Sequence, residues 1–284
     1  MTMRLQMVLL AAAAVLSANA ALSATAAQAA SVEVKDAVAR VTVIPEDRTD
    51  IKIEVTRANG QLPLTVRSFG GKTILDGDLN RRIHNCRSSG ESSWAEVRGV
   101  GRIGWADMPQ VTIRTPRDVK VEAGGAVFGS VGRSASLDLD NAGCGDWILA
   151  NVGGEAKISQ AGSGDTRMGA ANSLKLRVAG SGDLAAGDIK GPVDISIAGS
   201  GDANVRSVSG TLEVNIAGSG DVMIGGGRAT DMKVSVAGSG DVDFRGVADS
   251  LRARIAGSGD VRAMEVKGPI SKMIMGSGSV HVGS

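Results

Sequence analysis

Apolar and polar residues alternate strictly in a series of short segments in the second half of the chain. They are Leu174-Lys175-Leu176-Arg177-Val178, Val193-Asp194-Ile195-Ser196-Ile197, Leu212-Glu213-Val214-Asn215-Ile216, Met232-Lys233-Val234-Ser235-Val236 and Leu251-Arg252-Ala253-Arg254-Ile255. A period of two sends successive side chains to opposite faces and predicts half-buried strands. The apolar set is mostly β-branched or Leu, as such strands prefer. Ala-Gly-Ser-Gly-Asp follows each segment, and its two glycines let the chain turn a corner that a Cβ would block. A second short strand then begins, as in Val222-Met223-Ile224 or Val242-Asp243-Phe244. A third segment closes the unit, through Gly191-Pro192, Gly268-Pro269 or Gly225 to Gly227.

The pentapeptide occurs six times, closing on Asp165, Asp183, Asp202, Asp221, Asp241 and Asp260, so the gaps by subtraction are 18, 19, 19, 20 and 19. Degenerate copies flank the run: Asp146 lies 19 residues before Asp165, and Ser279 lies 19 after Asp260. A fixed period of this size marks a stacked solenoid. One unit cannot bury its own apolar face, but coils stacked about 4.8 Å apart put like residues over like and form a continuous core. The expected fold is all-β, a single-stranded right-handed β-helix with coils of about 19 residues. A left-handed helix of hexapeptides would show an apolar residue every six positions and a coil of 18; the drift and the single glycine-rich corner argue against it. Past residue 30 no 3.6-residue stripe occurs, and the chain's 40 glycines disfavour helix.

On the Gly-Ser-Gly-Asp motifs from Gly143 onward, the chain resembles the bacterial family called auto-transporter adhesin, head GIN domain. The likeness reaches in kind over residues 35–284. It implies a right-handed β-helix in an exported protein with no established enzymatic activity, and it supplies no catalytic residues to carry over.

Residues 1–29 read as a signal peptide. Arg4 supplies the positive start, Met7 to Leu16 an apolar core too short for a good membrane span, and Ala27-Gln28-Ala29 the favoured cleavage pattern, with Ala18-Asn19-Ala20 as the alternative. The mature chain is expected in the periplasm, at the cell surface or secreted, with no membrane span. Lys plus Arg number 31 and Asp plus Glu 30; losing Arg4 leaves 30 against 30. A neutral chain lacks the basic excess that a nucleic-acid partner requires. Aromatic residues are 2% and Tyr is absent, so the chain holds few of the rings on which binding platforms lean.

Cys86 and Cys144 are the two cysteines. In an oxidising compartment an even count favours pairing, and a bridge closing so long a loop would contribute on the order of 4 kcal/mol in the chain-entropy model. Two unpaired thiols are the alternative.

The organisation expected is a signal peptide over 1–29, irregular β coils or a cap over 30–120, and the repetitive β-helix over 121–284. A cap would cover the end of the stack, where unpaired edges recruit other chains. In the first region Val38 to Val43 and Ile51 to Val55 alternate around Pro45, and Leu64 to Val66 and Thr73 to Leu75 flank Gly70-Gly71. Residues 81–109 form the one long irregular stretch, an inserted loop holding Arg87, Trp94, Arg98, Arg102 and Trp105, the composition of a partner-contact surface. The alternative is an insertion folded back on the flank, with both Trp covering apolar surface and Cys86 stapled down.

The aligned Asp146, Asp165, Asp183, Asp202, Asp221, Asp241 and Asp260 invite a calcium reading. One carboxylate per coil falls short of the roughly six to eight oxygens that the ion takes. The competing reading bonds each Asp to backbone N–H groups at its own corner. A polysaccharide-acting enzyme needs carboxylates or a base at defined separations in a cleft, whereas these Asp lie along a line. His84 and His281 read as isolated. No catalytic, cofactor-binding or metal residue is therefore assigned, and no cofactor is expected. Val280 and Val282 alternate in mid-coil at the C-terminal end, an open edge that predicts pairing with a second copy or a partner strand. The function that follows is that of an exported, non-enzymatic structural or adhesion-type module of the bacterial envelope, with an envelope protein or glycan as partner. The alternatives are a calcium-stiffened scaffold and a polysaccharide-acting β-helix.

Overall fold

A computed structural model describes residues 30–283, so the signal-peptide reading of 1–29 lies outside the described residues. The chain is an all-β solenoid of about nine turns with coils of about 19 residues. The alternating segments pair in parallel from coil to coil, and their registers reproduce the motif spacing. Leu137 lies beside Ala156, then come Leu174, Val193, Leu212, Met232, Leu251 and Ile270. Val178, Ile197, Ile216, Val236 and Ile255 form a neighbouring column, each at most 3% exposed. Burying one such side chain stabilises by about 1.5–3 kcal/mol, and every coil repeats the gain.

Residues 31–120 also build coils, but stacked out of sequence order. β1 (Ser31–Pro45) is followed by β2 (Lys52–Arg57), β3 (Thr65–Phe69) and β4 (Lys72–Asp76). Then come β5 (Ile83–Arg87), β6 (Trp94–Val97), β7 (Gly101–Gly104), β8 (Gln110–Thr115) and β9 (Asp118–Val131). β1 pairs in parallel with β9 on one side, and with β4 and β8 on the other. The chain thus lays down β1, builds a coil beneath it from β4 and β8, and continues above it with β9. β3 runs antiparallel to β4, and β2 antiparallel to β8. In this region β1, β4 and β8 stack as coils, while β2 and β3 run antiparallel along the outer side of β8 and β4.

Residues 81–109 differ from the irregular stretch read in the sequence. β5, β6 and β7 make a three-stranded antiparallel sheet, and a single 3-10 turn follows at Trp105–Asp107. The strands are short and a bulge falls between Ile83 and Asn85, so no clean alternation announces them. The module fills the corner between β4 and β8, the place where later coils turn through Gly-Ser-Gly-Asp. It packs through its own core, in which Ala95, Val97, Ile103 and Met108 meet Val38, Ala126 and Phe128 from the corners of the next coils. Among the described residues no helix is long and apolar enough to cross a membrane.

Candidate interaction surfaces

The repeated corner sets a rail along one edge of the stack. The first glycine of each motif sits at positive φ, as Gly180 does at 142° and Gly199 at 140°, where L side chains are strained. A Cβ on the second glycine would overlap the carbonyl oxygen of its counterpart one coil below, as at Gly201 over Gly182. The following Asp then takes part in a ladder. The backbone N–H of Asp165 donates to Asp146 Oδ1, that of Asp183 to Asp165 Oδ1, and so on through Asp202, Asp221, Asp241 and Asp260, at 2.8 to 3.0 Å. One oxygen of every ladder Asp therefore accepts a backbone donor from the coil above. This is the backbone-bonding reading of the motif, displaced by one coil from the local corner expected.

The ladder ends where Ser279 stands for Asp. Asp260 Oδ1 accepts both the N–H of Ser279 at 2.9 Å and its hydroxyl at 2.6 Å. The hydroxyl of Ser279 and the neighbouring Arg262 hold the Asp260 carboxyl below its usual range. Ser279 Oγ also lies 2.7 Å from His281 Nε2, which corrects the reading of His281 as isolated. The register that joins residues 260 and 279 across a coil is invisible to sequence proximity. The Ser279 hydroxyl donates its hydrogen bond to Asp260; a nucleophilic Ser must instead hand its proton to the base. His84 is not isolated either, since its Nδ1 lies 3.2 Å from the Arg82 carbonyl and its Nε2 4.0 Å from Glu96.

A disulfide joins Cys86 of β5 to Cys144 of the first degenerate corner. Beside it Ser88 Oγ donates to the Cys144 carbonyl at 2.7 Å. The staple fixes one face of the module against the stack and turns the other outward. On the outer face Arg87 lies directly across from Trp94, and Glu96 across from Arg102. The Arg102 guanidinium covers the Trp94 ring at 4.0 Å from its centroid. Arg87, Trp94 and Arg102 thus converge on one face. Arg98 stands apart in the β6–β7 turn, where its carbonyl accepts from the Arg82 side chain.

Trp105 does not join them. It turns toward the stack, meeting Phe128 edge-on at 5.6 Å, with the Arg40 guanidinium 4.1 Å from its centroid. The reading in which both Trp cover apolar surface therefore fits Trp105 and fails for Trp94.

Sequence reasoning missed a long shallow groove of about 820 Å³ on the outer face of the repeat strands. An exposed column from Ala142 to Ala256 forms its floor, and Ser196, Asn215 and Ser235 line one side between Arg177 and Arg254. The Ala that opens each pentapeptide was the available signal.

A family model described as "Putative auto-transporter adhesin, head GIN domain" matches residues 27–227 and again 194–284. No curated protein matches the chain.

Proposed function

Since the chain belongs to the auto-transporter adhesin head GIN family, we propose that it is an exported, non-enzymatic adhesion-type module of the bacterial envelope. Its stack acts as a rigid prism, and the disulfide-anchored module carries the contact face. The observation that carries this reading is the outward cluster of Trp94 beneath Arg102 and opposite Arg87. Interface hot spots are enriched in Trp and Arg, and a guanidinium lying flat on a ring loses little freedom when a partner arrives. A half-buried staple behind this cluster keeps that face pre-organised. The hydroxyl proton of Ser279 committed to Asp260 supports the non-enzymatic part. The partner is an envelope protein or glycan.

The test uses the mature protein labelled for detection on envelope fractions and intact bacterial cells. Trp94→Ala and Arg102→Ala are expected to reduce retention at least tenfold while the melting temperature stays within about 2 °C of wild type, as for surface substitutions. Retention equal to wild type in both variants would remove this face from the account.

A further inference from the structure

Between the module and the first coils lies an alcove of about 340 Å³, distinct from the Trp94 face. The stack supplies its back wall as a grid of outward side chains. β8, β1 and β9 lie rung over rung, so that Arg40 neighbours Gln110 and Phe128, and Thr42 neighbours Thr112 and Ser130. One coil further Ile148 follows Ser130, and then Arg167 follows Ile148. Trp105 overhangs this grid from the module.

Arg40 is the feature that asks for a ligand. It is half-buried, and among the described residues its side chain makes no ion pair and no hydrogen bond. Its contact is the Trp105 ring. The Asp146 carboxylate also lines the alcove, but among the described residues no ion pair joins it to Arg40, and a partly desolvated cation without a paired counter-charge is unfavourable. Stacking holds the guanidinium plane and leaves its N–H fork to a planar carboxylate. Beside it, the Thr42 and Ser130 hydroxyls stand on adjacent rungs about 4.8 Å apart, each able to donate and accept. Ile148 is 62% exposed and offers an apolar platform beyond them. Exposed Arg167 supplies a second cation on the next rung.

We propose that this alcove binds a carboxylated sugar residue, a uronate-type unit of an acidic glycan. The carboxylate pairs with Arg40, the ring hydroxyls bond Thr42 and Ser130, and the C–H face of the ring rests on Ile148. Arg167 receives the acid group of the next unit. A neutral sugar would leave Arg40 unpaired, and an acyl chain would strip water from Thr42 and Ser130 without replacing their hydrogen bonds. The assignment does not depend on the Trp94 face.

Titration calorimetry of the mature protein with tri-galacturonate, with the neutral galactose trisaccharide and with acetate tests it. The expected order is measurable binding of the acidic trisaccharide, at least tenfold weaker binding of the neutral one, and weaker binding still of acetate. Arg40→Gln should cost at least tenfold. Ile148→Ser, at an exposed position that does not endanger folding, should cost severalfold. Trp94→Ala should leave the titration unchanged. No binding of the acidic trisaccharide, equal binding of the neutral one, acetate binding as tightly as the sugar acid, or wild-type affinity in both Arg40→Gln and Ile148→Ser would each overturn the proposal.

Discussion

The two ends of the stack meet the same physical problem in opposite ways. A parallel solenoid must finish on edges whose N–H and C=O groups have no further coil to pair with. At the N-terminal end the chain reverses direction. The turn at Gly70 and Gly71, both at positive φ, folds β3 back along β4, and β2 runs back along β8. The covering strands are exposed and carry Lys52, Glu54, Arg57 and Arg67, while the coil beneath them stays dry, with Leu75 at 0% exposure. At the C-terminal end the strands Ile270–Gly276 and Ser279–Val282 each pair on one side among the described residues. There Ile270, Met273, Ile274 and Met275 are exposed, and Lys272 takes the inner-column place that Ala253 holds one coil earlier. One end is covered by reversed strands that are themselves paired on one side among the described residues, whereas the other carries a charge that an incoming edge would have to bury.

Leu75 and Ile274 stand at opposite ends of one inner column, so paired truncations sharpen this contrast most strongly. Leu75→Ala should cost about 2–5 kcal/mol, the range for a buried large-to-small change. Ile274→Ala should cost about 1.5 kcal/mol or less, since that residue is already 37% exposed. Urea unfolding measures both; equal costs would abolish the distinction between a capped and an open end. A smaller effect is expected from Lys272→Leu. It should leave the monomer folded and raise end-on self-association, visible as a concentration-dependent mass in light scattering. An unchanged mass at all concentrations would mean that Lys272 does not guard the edge.

What could be read from the sequence followed the same divide. From Asp118 onward each coil follows its predecessor, so the motif spacing is the strand register, and the column through Val178 and Ile255 was visible as a period. The pairing of Cys86 with Cys144 was legible from the even count of two cysteines. Residues 31–120 hid their order because β1 lies between strands that come later in the chain, and no local pattern encodes a non-local insertion. The module hid its sheet because Ile83-His84-Asn85-Cys86-Arg87 does not alternate cleanly. Of the aromatic and basic residues singled out there, Arg87, Trp94 and Arg102 share a face, while Trp105 turned to Arg40, 65 residues earlier in a strand that reads as ordinary scaffold. Composition flagged the residues, and only the fold sorted them.

The central claim is that the described coils form one continuous stack, covered by reversed strands at its first edge and left with a parallel strand edge at the last described coil. Native-state hydrogen exchange resolved by residue tests it most directly. Fast exchange in Ile270–Gly276 and Ser279–Val282 should give way to slow exchange through the middle coils, and β1, β4 and β8 should be as protected as that middle. Equal protection at both ends, or fast exchange in β4 and β8 matching the last coil, would contradict it.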